Sequence, residues 1–296
     1  MVKLNDITAG YGEKTVLHGV SITFQPRTVT AVVGPNGCGK STLLKAAAGL
    51  LPVTGGMITA PEPRAKHIAY APQSRPVPEM TAGQLVLHGR FPWLSWPRRY
   101  RPEDEAAAKA AMERLGVADL ADVPLAELSG GTRQKCYLAM ALAQGADTLL
   151  LDEPTSFLDI GCQLQLMALC RELAAQGRAV AVVLHDLPLA LGYADRIAVM
   201  EMGRLLTLDS PRAVWASGLL DRVFGIHLLQ IPTPAGMQYI CVPKWPKGRS
   251  FREAAQTVKE PQILPPSFMR GDVQAKRRTG GSPLIFAANR QNAHFS

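Results

Sequence analysis

No stretch of this 296-residue chain supplies the ~20 consecutive apolar residues that a membrane-spanning helix needs. The longest run poor in charge, 136 to 151, is broken by Gln144, Gly145 and Asp147. The opening "MVKLNDITAG" has no apolar h-region, so a secretory signal is not expected. Cysteine is scarce: Cys38, Cys136, Cys162, Cys170 and Cys241 are odd in number, form no C-x-x-C pair and have no histidine nearby at ligand spacing. They read as reduced structural thiols, which argues against a metal site. No repeat with a period of roughly 20 to 50 residues is visible, so a solenoid is not expected. These absences describe a chain expected to stay in the cytosol unless a partner holds it at a membrane.

What is present suits a globular protein, with 47% apolar residues and mean hydropathy near zero. The length allows one large or two modest domains. The net charge of +8 is uneven. From residue 243 onward ten basic residues face three acidic ones, a net of +7, which leaves the body near neutral. We therefore expect a domain over 1–242 and a basic, poorly ordered extension over 243–296 containing "ILPPSF" and "TGGSP". Lys276, Arg277 and Arg278 offer charge to anionic lipid or nucleic acid. The plainer expectation is a solvated tail, and no nucleic-acid partner is expected.

The body alternates strands and helices. "TVTAVV", 28 to 33, is β-branched and uncharged, as in a strand covered on both faces. "DTLLLDE" and "AVAVVLHD" are two more buried-strand candidates, with "IGCQLQLMALCRELAAQG" a helix between them closed by Gly177. That order is the α/β pattern. Between Ser74 and Leu128 no strand is apparent. "RPEDEAAAKAAMERLG" has proline first, three acids in the first turn and Gly116 at the end, so a helical insert over about 74–145 is expected.

Directly after the first buried strand comes "GPNGCGKST": Gly34, Pro35, Asn36, Gly37, Cys38, Gly39, Lys40, Ser41 and Thr42. The spacing is G-x-x-x-x-G-K-[ST], following a strand and opening a helix. Glycines let successive backbone N–H groups converge on one point, and the helix N-terminus adds positive partial charge there. A polyphosphate is the ligand this predicts. Lys40 would reach its β and γ phosphates and Ser41 would supply part of a magnesium shell. "LLLDE" brings Asp152 as a second hard ligand, through water, and Glu153 as the base for a water attacking the γ phosphate.

"LSGGTRQK", 128 to 135, closely resembles the signature of ATP-binding cassette (ABC) ATPases, and the family's other motifs stand in their expected order. Tyr11 in "AGYGEKTVL" resembles the aromatic that stacks on adenine. Gln73 in "YAPQ" resembles the Q-loop glutamine, which senses the γ phosphate and the metal. "SFLD", Ser156 to Asp159, resembles the D-loop, and His185 in "VLHD" the switch histidine. The resemblance spans roughly 1 to 245. It implies a P-loop NTPase fold of the ABC type: a mixed sheet core, an antiparallel β edge and an inserted helical subdomain. It implies ATP and magnesium as ligands, with Glu153, His185 and Gln73 as catalytic groups and Ser41, Gln73 and Asp152 around the metal.

The signature implies a partner. Ser129, Gly130 and Gly131, placed just before the helix "RQKCYLAMALAQ", form a second phosphate site. In the family that site serves the ATP of another cassette. With one P-loop and one signature, the chain resembles half of a homodimer. Thr132 departs from the pattern, since the family usually has glutamine there.

"VLHGRFPW", "RRYRPEDEAA", "MALAQGADTLLLDEPTSFLDI" and "RVFGI" resemble the ATP-binding subunits of importers for ferric siderophores, cobalamin and haem. This implies integral-membrane permease subunits as partners, a periplasmic or surface substrate-binding protein acting indirectly, and a peripheral position on the cytoplasmic face of the inner membrane. The order of expectation for cargo is siderophore, haem, then cobalamin. A soluble ABC ATPase, for instance in iron-sulfur assembly, is the competing class. Phe91, Trp93 and Trp96 are candidates either for a permease-docking groove over 73–96 or for the insert's own core.

Overall fold

A computed structural model of the chain describes residues 1–73, 77–234 and 236–244. The extension beyond 244, including Lys276, Arg277 and Arg278, and Ser74 at the start of the expected insert lie outside the described residues.

The chain starts with two long antiparallel strands, β1 (Val2–Tyr11) and β2 (Lys14–Phe24), followed by β3 (Thr28–Val33), α1 (Lys40–Ala47) and β4 (Val53–Thr59). A four-residue helix α2 (Arg64–His67) leads into β5 (Ile68–Ala71). Three helices follow: α3 (Ala82–His88), α4 (Pro102–Arg114) and α5 (Gly130–Ala143). The chain then alternates β6 (Thr148–Leu151), α6 (Ile160–Ala175), β7 (Ala179–Val183), α7 (Leu187–Tyr193), β8 (Arg196–Glu201) and β9 (Arg204–Asp209). Two short helices, α8 (Pro211–Ala216) and α9 (Leu219–Phe224), precede a hairpin, β10 (Ile226–Thr233) and β11 (Gly236–Pro243).

The central sheet has the order β5-β6-β7-β3-β8-β9, parallel except for antiparallel β9. A second sheet, β2-β1-β4, is wholly antiparallel. The unbroken apolar runs of the central strands follow from having a core on each face. Val29, Ala31 and Val33 of β3 face one core with Leu149 and Leu151 of β6 and Val180 and Val182 of β7, packed under α6 and α7. Val32, Leu150, Ala181 and Val183 face the other, which includes α1 and the antiparallel sheet.

Helices α3, α4 and α5 form a third core around Leu85, Val86, Met112, Cys136 and Tyr137. Thr81 and Gln84 form a capping box on α3. On α4 the carboxylate of Asp104 is buried and accepts from Arg90 Nε at 2.9 Å and from Arg101 N at 3.0 Å. Burial by itself would raise this carboxyl, but the Arg101 amide and the Arg90 guanidinium outweigh it and hold it below the usual carboxylate range. Arg90 also donates to Ala143 O at 3.0 Å, tying α3 and α4 to the end of α5. No helix among the described residues is long and apolar enough to cross a membrane. All five cysteines are free; Cys38, Cys136 and Cys170 are buried, whereas Cys241 is exposed on β11.

Candidate nucleotide site

Parallel strands deliver their carboxyl ends to one edge of the sheet, and the connections there can converge on a ligand. Here β3 delivers the glycine loop, β5 Gln73, β6 Asp152 and Glu153, and β7 His185. Asn36, Gly37, Gly39, Lys40, Ser41, Thr42, Gln73, Glu153 and His185 line one cleft of about 490 Å³, with Val16 of β2 on its wall.

Gly39 is the N-cap of α1 and sits at φ 102°, a conformation that side chains rarely adopt. It allows the loop to swing directly into the helix, whose first-turn amides have no intrahelical partner. Lys40 is only 5% exposed. Its ammonium donates to Gly34 O at 2.8 Å and Pro35 O at 3.0 Å, so a cation is held across the loop by the loop's own carbonyls. Cys38 is buried within the loop, and burial pushes its thiol above the ordinary value.

Ser41 Oγ donates to Asp152 Oδ1 at 2.9 Å, and Tyr70 OH donates to Asp152 Oδ2 at 3.1 Å. Two hard oxygen donors meeting at the end of a phosphate loop suit magnesium, which takes few protein ligands and binds alongside phosphates and water. Asp152 is 2% exposed. Its burial raises the carboxyl pKa, with the Ser41 and Tyr70 hydroxyls pulling the other way. A raised acid binds more protons folded than unfolded, so its contribution to stability is present at low pH and is lost as pH rises through the folded pKa. Asp152→Asn is therefore expected to melt higher than the parent at neutral pH without ligand, with the gap closing towards the acid range. Melting curves from pH 4 to 8, with and without magnesium and ATP, check this. Asparagine should remove the magnesium-dependent part of the ATP stabilisation, and an unchanged magnesium response would sink the assignment.

Glu153 has a backbone φ of 50°, a left-handed conformation that costs a non-glycine residue on the order of 1–3 kcal/mol. Both of its carboxylate oxygens are held: Gln73 Nε2 donates to Oε2, and His185 Nε2 lies 2.5 Å from Oε1. The three groups expected to act on the γ phosphate thus engage one another across the cleft.

Tyr11, at the end of β1, is 48% exposed and does not line the cleft; Lys45 Nζ lies 3.4 Å from its hydroxyl and 5.6 Å from its ring centroid. Ser129, Gly130 and Gly131 do not line it either. The glycines are also not ahead of the helix as expected: α5 begins at Gly130, because the Ser129 side chain caps it by accepting from Thr132 N. Their amides are therefore first-turn donors.

Sequence reasoning missed Val16, Tyr70 and Lys45. Tyr70 stands inside the quoted "YAPQ", but only the β5–β6 pairing opposite Leu150 brings it to Asp152. Phe91, Trp93 and Trp96 lie outside the insert's core; Trp96 is 90% exposed. Lys66 and Arg90 each approach the Trp93 ring to 5.2 Å, and Arg98 approaches Phe91 to 4.7 Å.

A family pattern described as "ABC transporter" matches residues 17–156, from β2 to just past Glu153. The achromobactin transport ATP-binding protein of Dickeya dadantii is 36% identical over 249 residues, 80% of this chain and 93% of its own length. The chain belongs to the ABC transporter family. A hemin import ATP-binding protein of Streptomyces coelicolor is 42% identical to this ABC cassette over 243 residues, 78% of the chain and 86% of that protein. Among solved structures, an inward-facing putative metal-chelate type ABC transporter matches the cassette with a TM-score of 0.73 at 25% identity, covering 82% of this chain and 97% of that one. A dimeric ATP-binding cassette in a post-hydrolysis state with ADP and Pi matches with a TM-score of 0.64 at 26% identity, over 72% and 99%. ABC cassettes of this kind are ATPases, and the mixed sheet with its antiparallel edge is their fold.

Proposed function

We propose that the chain is the ATP-hydrolysing subunit of a membrane importer for an iron chelate, most specifically a ferric siderophore. The observation that carries the ATPase half of this reading is the cleft itself. It holds a phosphate loop, a Ser41–Asp152 metal pair and a clasped Glu153, while the Ser129–Gly131 turn lies outside it. A second copy would bring that turn to the missing side, giving two composite sites per dimer. The cargo rests on relatives named for achromobactin transport and hemin import.

In this reading Lys40 and the amides of the glycine loop hold the β and γ phosphates, and Tyr11 supports the base. Magnesium, when bound beside Ser41 and Asp152, supplies positive charge against the phosphate oxygens. Before nucleotide arrives, both carboxylate oxygens of Glu153 are engaged, one by Gln73 and one by His185. A γ phosphate competes for both partners, since a glutamine amide and an imidazole N–H each donate to its oxygens as readily as to a carboxylate. Their transfer frees both Glu153 oxygens, one of which accepts a proton from an attacking water. Closure of the dimer is driven by ATP spanning the two chains, and loss of phosphate lets it open. The exposed aromatic and cationic segment around Phe91, Trp93 and Trp96 offers the permease a surface. The cassette would sit at the cytoplasmic face of the membrane, with an external binding protein delivering cargo to the permease.

Haem is the second reading, favoured by the higher identity to the hemin import relative. Deleting the gene and supplying iron only as a ferric siderophore, or only as haem, separates the two. Growth lost on siderophore and retained on haem is expected; the reverse pattern would establish the second reading. Growth unaffected on both, with the protein copurifying with an iron-sulfur scaffold, would overturn the importer.

A further inference from the structure

The signature turn holds a contact that its sequence departure creates. Ser129 Oγ accepts the N–H of Thr132 at 3.2 Å and lies 2.8 Å from Thr132 Oγ1. A hydroxyl has one proton and two acceptor positions. With the Thr132 amide in the first position and the Thr132 hydroxyl donating into the second, both are filled. The Ser129 proton is then the only polar function left, and it faces outward at the first turn of α5, where the free amides also favour an anion. In the opposite arrangement Ser129 donates inward and presents a lone pair, which a phosphate oxygen repels. An arriving anion therefore selects the donor chain from Thr132 through Ser129. The turn is also fixed from behind: a Cβ on Gly131 would come within 2.9 Å of Phe157 O, so the backbone is pressed against the loop that leads into α6.

The geometry points to Thr132 as a positioning residue that orients the Ser129 hydroxyl as a hydrogen-bond donor to the γ phosphate held by the partner copy. This rests on the composite-site reading above. Thr132 touches no nucleotide and acts through Ser129 alone. Its methyl group is not required, and its hydroxyl is.

The test uses full-length protein carrying Glu153→Gln, so that bound ATP persists, and measures the dimer fraction by analytical ultracentrifugation as ATP is raised. Adding Thr132→Val should raise the ATP needed for half-maximal dimer about five-fold, the worth of one hydrogen bond. Adding Thr132→Ser should leave it within about two-fold of the parent. Binding of a fluorescent ATP analogue to the dilute single chain, which reads the glycine loop alone, should be the same in all three. A merely structural cap would lower the melting temperature of the valine variant without moving the ATP midpoint. A valine variant that dimerises at the parent's ATP concentration, or a serine variant that behaves like valine, overturns the inference while leaving the composite site standing. If the Glu153→Gln parent itself stays monomeric at saturating ATP, the composite site fails and the role of Thr132 fails with it.

Discussion

Glu153→Gln is expected to lower ATP turnover by about 10²–10⁴-fold, the range that a positioned general base contributes, while nucleotide binding stays intact. Glutamine keeps the shape of the side chain and one carbonyl oxygen, so Gln73 retains an acceptor. What it loses is the second anionic oxygen that His185 faces and the basicity needed to take a proton from water. ATP should then accumulate on the protein and hold it as a dimer, visible as a shift on gel filtration that ADP does not produce. Steady-state turnover and the elution volume together check it. Turnover at the parent's rate would remove Glu153 as the base, and one of the other polar groups lining the cleft would have to be sought in its place.

Lys40→Ala should weaken ATP binding by about 10²–10⁴-fold. A lysine between the β and γ phosphates makes two hydrogen bonds to ionised oxygens, each worth about 1.5–3 kcal/mol, and a factor of ten corresponds to ~1.4 kcal/mol. The substitution acts on the empty protein too. The ammonium is buried and satisfies Gly34 O and Pro35 O, and alanine leaves both carbonyls without that donor. Calorimetric titration with ATP therefore needs a melting curve beside it. A fold that melts cooperatively but no longer takes up ATP is the expected result. Affinity equal to the parent's would show that the loop does not hold the triphosphate.

Much of the site was legible because its parts are local. The loop from Gly34 to Thr42 is a contiguous run between a buried strand and a helix, and its chemistry depends on spacing along the chain alone. The run Leu149, Leu150, Leu151 announced a strand buried on both faces, and the two cores that receive alternate residues of it are the reason. Strands β1 and β2 were less readable. The resemblance implied an antiparallel edge, but the register shift between Leu4 and Ile7 breaks the period of two that would have marked β1. The hairpin β10–β11 gave still less, since most of its residues are exposed or half-buried and no clean apolar alternation survives. The start of α5 was displaced for a related reason. Glycines argue against a helix interior, yet at first-turn positions behind a serine cap they serve as donors.

By itself the sequence determined which residues are candidates to hold a phosphate and in what order they come, because a glycine loop, an acid pair and a signature turn are each written within a few consecutive positions. The tertiary structure alone decided that the loop and the acid pair lie together. Ser41 meets Asp152 across 111 residues and Gln73 meets Glu153 across 80, contacts that no local pattern encodes. They arise because β3, β5, β6 and β7 run parallel and end at the same edge, so that distant loops share one cleft. The same geometry leaves the chain's own signature outside that cleft, since the turn is carried on the helical insert, where Ser129 and Gly130 are exposed.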